Sequence, residues 1–287
     1  MTALSPDQVA RLAKRVDQHK YDHGHALILA GGPGRGGAAR LAARAALRVG
    51  AGLVTVACPP AAMAENAAQL NAVMLRPLAD AADLTRILDD RRFNGLCLGP
   101  GLGLGEATRD LVRAALAAER ALVLDADALT AHAAAPGELF DRLHPRSVLT
   151  PHSGEFARLF PDLGAGIGAD FGESGLDARR RAVLAAAERA GATVLLKGAV
   201  TLIAEPGGGA ASLDLTGALA APWLATAGSG DVLAGIITGL LARGVPPFQA
   251  AELGAWMHAA AGRQAGAGLI AEDLPDALPA VFRGLGL

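Results

Sequence analysis

Aromatic residues are scarce: Phe, Trp and Tyr together make up 3% of the 287 residues, so aliphatic side chains and alanine must fill the core. Cysteine is scarcer still. Cys58 and Cys97 stand at or beside expected strand ends, in no CxxC or Cys/His spacing, which leaves them as small core residues rather than a disulfide or a zinc site. Long apolar runs are missing too: the longest, residues 232–242, is too short for a membrane span, and no membrane partner is expected. The opening stretch MTALSPDQVARLAKRVDQHK carries charges where a signal peptide needs its apolar region. It reads as a lead-in helix over residues 1–18 of a cytoplasmic protein. Charge of one sign is not in excess either. The formal net charge is −2, and the longest basic run, Arg179-Arg180-Arg181, suits a solvated helix face, so nucleic acid is not an expected partner.

What is present is an alternation. Short apolar runs at residues 26–30, 53–57, 95–98, 121–124, 147–149, 193–196 and 200–204 are separated by Ala/Leu/Arg-rich segments with helical spacing, such as 38–49, 108–119 and 177–190. Strands that are apolar throughout and joined by helices predict an α/β fold, a mostly parallel sheet covered on both faces. Gly207-Gly208-Gly209 reads as a hairpin turn, residues 161–175 as a surface loop, and the chain beyond Gly230 as helical, with helices over 232–243 and 249–262. Folds of this class reach 287 residues as one unit, so a single domain over 1–287 is expected.

Ligands of open parallel sheets bind beyond the carboxyl ends of the strands. The loops there are glycine-rich or polar: residues 31–37, 99–103, Asp125-Ala126-Asp127, Thr150-Pro151-His152, and Lys197-Gly198-Ala199. Gly32-x-Gly34-x-x-Gly37 matches a dinucleotide-binding pattern, but Ala57-Cys58-Pro59-Pro60 stands where that site needs an acid, with Glu65 farther on. TAGSGDVLAG, residues 226–235, fits another device. Successive amides of a glycine turn at a helix N-terminus form an anion pocket. Asp231 there is either a helix cap or a general base beside a phosphoryl group. Ala234, Gly235 and Gly239 give the following helix a small face for tight packing. Asp125 and Asp127 are turn formers or magnesium-associated acids; His152 is a capping or solvent-exposed residue or a ligand contact. Lys197 either reaches water or neutralises a ligand.

From about His19 onward the chain resembles the ADP-dependent (S)-NAD(P)H-hydrate dehydratase family of the ribokinase-like superfamily. The resemblance runs in order through HKYDHGHALILAGG, GGAARLAARAALRVGAGLVTVA, GPGLG, LVLDADAL, LTPHSGEFARL, VLLKGAVTLIAEP, LATAGSGDVLAGIITGLLARG and AGLIAEDLPDALPAV. It implies repair of NADHX and NADPHX, whose C6 hydroxyl would be phosphorylated by ADP, or by ATP in some relatives, and lost as phosphate, leaving NADH or NADPH and AMP. By resemblance, Asp231 would take the hydroxyl proton while the amides of Gly228, Ser229 and Gly230 stabilise the moving phosphoryl group. Lys197, Gly198, Ala199, Thr201 and Gly230 would lie along the nucleotide; Ala38, Ala39, Gly101, Leu102, Gly103 and His152 would join Asp231 around the hydrated dinucleotide. Mg2+ is expected with the nucleotide, without an assigned ligand, and relatives are often homo-oligomers. Many carry an N-terminal epimerase domain, for which this length leaves no room.

Departures from the family pattern are Thr130 for Asn after DADAL, Ser153 for Pro after Pro-His, Tyr21 for Gly after Lys20, and residues 218–223 in place of an Asn-Pro-Gly approach to the anion loop. The last bears on nucleotide fit. A small-alcohol kinase of the same superfamily, or a nucleotide-binding relative without turnover, is the alternative.

Overall fold

The structure is a computed structural model that describes residues 4–164 and 173–287. The strands are β1 (His25–Leu29), β2 (Leu53–Cys58), β3 (Met74–Pro77), β4 (Phe93–Leu98), β5 (Ala121–Leu124), β6 (Ser147–Leu149), β7 (Thr193–Leu196), β8 (Val200–Ala204) and β9 (Ala210–Asp214). The helices are α1 (Pro6–Leu12), α2 (Gly37–Arg48), α3 (Met63–Ala67), α4 (Ala81–Leu88), α5 (Glu106–Ala117), α6 (Asp127–Thr130), α7 (Pro136–Phe140), α8 (Ser153–Leu159), α9 (Pro161–Gly164), α10 (Glu173–Ala190), α11 (Ser229–Ala242), α12 (Pro247–Ala265) and α13 (Asp273–Gly284).

The strands form one sheet in the order β3-β2-β1-β4-β5-β6-β7-β8-β9. Pairing is parallel from β3 to β7, and β8 and β9 are antiparallel. Alternate residues face opposite layers because a strand has a side-chain period of two. Ala26, Ile28, Cys97 and Val123 join the core beneath α2, α11, α12 and α13, whereas Leu27, Leu29, Leu96, Leu98, Leu122 and Leu124 join the core beneath α4, α5, α8 and α10. Both layers take apolar side chains, so the central strands have no polar face to display.

The predicted strands are all found, with bounds shifted by up to two residues. Met74–Pro77 is an additional edge strand. Its Arg and Pro hide it in sequence, but an edge strand tolerates proline because one side of its backbone needs no partner. The hairpin at Gly207-Gly208-Gly209 joins β8 to β9. The lead-in helix is shorter than expected: it covers Pro6–Leu12, started by Ser5, whose hydroxyl accepts the Gln8 amide, and ending at Ala13. Of the loop expected over 161–175, Pro161–Gly164 is a helical turn and Glu173 opens α10; residues 165–172 lie outside the described residues. Among the described residues no helix is long and apolar enough to cross a membrane.

Two packing contacts fix the position of α11. A Cβ on Gly235 would lie 2.2 Å from the Ala42 carbonyl oxygen of α2, and one on Gly239 would lie 2.4 Å from Val49 Cγ1. The helix backbones therefore touch, as the small face of the sequence requires. At the other end of α11, the Asn94 side-chain amide donates to the Ala242 carbonyl at 2.9 Å, locking the helix to the start of β4.

Candidate functional site

The sheet reverses its winding between β1 and β4, so the loops that follow these strands face each other across the rim. They touch through glycine: a Cβ on Gly31 would lie 2.0 Å from the Gly101 carbonyl oxygen, and one on Gly99 would lie 1.7 Å from the Asp125 carbonyl oxygen. Gly101 and Gly103 have φ of 74° and 87°, in the left-handed region. Asp127 completes this corner by accepting the Gly103 amide at 2.8 Å, and the Thr108 hydroxyl donates to the Gly103 carbonyl at 2.8 Å.

Opposite stands the N-terminus of α11. Gly228 precedes the helix with φ of 85°, which swings the chain into the first turn. A Cβ there would meet Leu41 Cδ1 at 2.7 Å and Ala271 Cβ at 2.9 Å, so both backbone and space demand glycine. Asp231 lies in the first turn, mostly buried. Burial first, then the Asp125 charge and more weakly Asp127, raise its carboxyl from the ordinary 3.8 to about 6, with Lys197 opposing. Lys197 Nζ is 2.7 Å from Asp125 Oδ1, and Asp125 is 1% exposed. Burial alone works against the Lys197 charge, yet Asp125, with Glu155 and Asp231 beyond it, holds the ammonium above its ordinary value. A Cβ on Gly230 would come within 3.5 Å of Lys197 Nζ, which places the lysine beside the glycine turn that opens α11.

The predicted residues fall into two groups. The structure brings Gly228, Ser229, Gly230, Asp231 and Lys197 together at one place, linked through Asp125 and Asp127 to Gly101, Leu102 and Gly103. Gly198 and Ala199 are exposed on the turn between β7 and β8. Thr201 is buried, its hydroxyl given to the Gly198 carbonyl at 3.2 Å, so it props that turn. Ala38 is half-buried on the first turn of α2, whereas Ala39 points into the core. His152 caps α8: its Nδ1 accepts the Gly154 and Glu155 amides, and its backbone amide gives its proton to Glu155. Half its side chain remains exposed at the same rim, where residue 152 bridges to Lys197.

Three residues at the site carry more than their sequence showed. Arg179, expected on a solvated face, is buried, with Nη2 3.0 Å from where a Gly198 Cβ would stand. The helical spacing 179, 182, 183, 186, 190 placed it on the apolar side of α10, but the charge run obscured that. Glu65, the acid that came too late for a ribose, folds back on the first glycine loop and accepts the Gly34 amide at 2.7 Å. His258 of α12 reaches Ser229 from below the loop; only its place on the otherwise apolar, buried side of α12 could have marked it.

The model of a protein family described as NAD(P)H-hydrate dehydratase matches residues 26–280. A bifunctional NAD(P)H-hydrate repair enzyme Nnr from Moorella thermoacetica is 41% identical over 286 residues, covering 95% of this chain and 52% of the relative. The chain spans about half the length of the curated relatives it matches. Among solved structures, an ADP/ATP-dependent NAD(P)H-hydrate dehydratase from Bacillus subtilis, co-crystallised with ATP and Mg2+, superposes with a TM-score of 0.76 at 28% identity, covering 97% of this chain and 96% of that one. A ribokinase-like superfamily protein from Enterococcus faecalis shares the fold at a TM-score of 0.76 and 23% identity, covering 98% of this chain and 95% of that one. With the family model spanning nearly all of the sheet and both halves of the rim, the chain belongs to the NAD(P)H-hydrate dehydratase family.

Proposed function

We propose that this chain dehydrates (6S)-NADHX or NADPHX to NADH or NADPH at the expense of ADP, releasing AMP and phosphate. Asp231 takes the proton of the C6 hydroxyl, whose oxygen then attacks the terminal phosphoryl group of ADP and displaces AMP. The C6–O bond next breaks, phosphate departs with the electron pair, and loss of a C5 proton restores the dihydronicotinamide ring. The observation that carries this reading is Asp231 itself. Its carboxyl is mostly buried beside the turn amides and is raised to about 6, which suits a base near neutral pH.

In this reading the amides of Gly228, Ser229 and Gly230 face the charge of the moving phosphoryl group, the largest contribution expected in such chemistry. Lys197, Gly198 and Ala199 flank the nucleotide, on a turn that the buried Thr201 props from behind. Ala38, Gly101, Leu102, Gly103 and His152 flank the hydrated dinucleotide, while Ala39 behind them packs into the core. Mg2+ takes much of its oxygen shell from phosphates and water. That fits a rim where Asp125 is engaged by Lys197 and Asp127 by Gly103, and where no group of three or more His, Cys, Asp or Glu among the described residues is arranged to hold a metal. When bound, the ion would neutralise phosphate charge. ADP is the proposed donor, with ATP as a second, and the chain acts as one dehydratase unit, cytoplasmic and homo-oligomeric.

The test mixes purified protein, Mg2+ and freshly prepared NADHX with ADP or ATP, and follows the near-ultraviolet absorbance of the restored dihydronicotinamide together with phosphate release. A donor-dependent rise with matching phosphate is expected. No rise with either donor, where the Bacillus subtilis enzyme works, would overturn the reading in favour of a small-alcohol kinase.

A further inference from the structure

His258 lies on α12, outside the rim loops, yet Nε2 is 2.9 Å from the Ser229 carbonyl oxygen and 3.0 Å from Ser229 Oγ. A carbonyl oxygen can only accept, so at this distance Nε2 must carry the hydrogen. Burial, aided by the Lys197 charge and opposed by the Ser229 carbonyl, lowers the imidazole to about 4, so the ring is neutral and has one N–H. With that hydrogen on Nε2, this nitrogen has no lone pair left for the Ser229 hydroxyl. Ser229 Oγ meets it as a second acceptor, and the hydroxyl hydrogen is turned elsewhere. Ser229 sits between Gly228 and Gly230, with Lys197 Nζ beside the turn.

We infer that His258 is a positioning residue of the phosphoryl site: by donating to the carbonyl and hydroxyl oxygens of Ser229, it directs the Ser229 hydroxyl hydrogen toward the anion held by the amides of residues 228–230. The inference rests on the reading of this loop as the phosphoryl site. The Ser229 amide already meets the Thr226 carbonyl at 3.4 Å, so the hydroxyl is the donor that Ser229 adds for the anion, and the imidazole decides whether it is available. If the opposite tautomer were present, the hydroxyl would give its hydrogen to the ring, and the carbonyl would face a lone pair.

The test is a double-mutant cycle. His258→Phe keeps a ring without the donor, His258→Gln restores an N–H near the Nε2 position, and Ser229→Ala removes the hydroxyl. Each variant is assayed for kcat and KM with NADHX and ADP, alongside thermal unfolding. Loss of one donor to a developing anion lowers kcat by about 100-fold. His258→Phe and Ser229→Ala are each expected to lose kcat on that order with KM for NADHX little changed, His258→Gln to recover part of it, and Ser229→Ala/His258→Phe to be no worse than Ser229→Ala alone. Multiplying losses, or unchanged kcat in a folded His258→Phe, overturns the inference. If that variant does not fold, Ser229→Ala decides it alone: unchanged kcat in the folded Ser229→Ala variant overturns the inference. A wild type without turnover sinks the dehydratase reading instead. The inference is then judged by titration with ATP: clearly weaker binding in both single variants is expected, and unchanged binding in Ser229→Ala overturns it.

Discussion

Replacing Asp231 by Asn should make the protein more stable and nearly inactive at once. The folded carboxyl titrates near 6 instead of 3.8, chiefly because burial and the Asp125 charge oppose its ionisation. Ionisation therefore works against folding. The penalty is absent below the unfolded value, builds between 3.8 and about 6, and is complete above that window. The gap corresponds to at most about 3 kcal/mol. An amide of the same shape carries no charge, so Asp231→Asn should gain up to that amount at about pH 8, or about 5 °C in Tm for a chain of this size. The gain should fall to about half at pH ~5, where the wild-type carboxyl is largely protonated when folded. Turnover should drop by about 100-fold or more, the usual contribution of a positioned base, while ADP affinity measured by calorimetry changes little. Scanning calorimetry at both pH values, with the coupled phosphate assay, checks the two effects together. A variant that is destabilised at high pH, or that keeps full turnover, would refute the electrostatic account of this carboxyl.

The same titration predicts that kcat/KM falls below about pH 6, reaching roughly a tenth at about pH 5; a flat profile through that range would separate the base from Asp231. Lys197→Met leaves Asp125 buried without its partner, which should cost about 3 kcal/mol or more in chemical denaturation and weaken ADP binding; an unchanged denaturation midpoint would mean that the pair is not held in solution. Gly235→Ala forces a methyl group toward the Ala42 carbonyl oxygen, so α11 must move off α2. About 2 kcal/mol of stability and much of kcat should be lost together, and full kcat in a folded variant would show that the loop does not depend on the helix seat.

Much of this rim could be read from sequence because its parts obey local rules. Apolar strands end in glycine-rich or polar loops, and a parallel sheet delivers those ends to one side. Gly235 and Gly239 announced a backbone contact, although not that α2 would provide it. Other parts are properties of three dimensions alone. Lys197 and Asp125 are far apart in the chain, and nothing in either strand end specifies that their side chains meet at 2.7 Å. His258 lies one helix beyond the loop it supports. Glu65 failed one spacing rule and found another use, as the acceptor of Gly34. Residue 179 shows competing local rules: a run of arginines predicts solvent, the helical period predicts burial, and tertiary packing decided for the period.

The distribution of charge explains why Asp231 can be held in a strained electrostatic position without an anion pocket losing its purpose. Asp125, Asp127, Asp231 and Lys197 share one corner of the rim, yet they are not equivalent. Asp125 is tied directly to Lys197, and Asp127 accepts an amide, so both charges have partners. Asp231 is raised to about 6, while the neighbouring acids keep Lys197 above its ordinary value. A phosphate entering between the turn amides and Lys197 would add negative charge beside Asp231 and raise its carboxyl further, strengthening it as a base at the moment of binding. The fixed seat of α11 then matters as much as the carboxyl itself. With Gly235 and Gly239 against α2, and Asn94 holding the far end, the loop cannot relax away from the crowded charges without moving the whole helix.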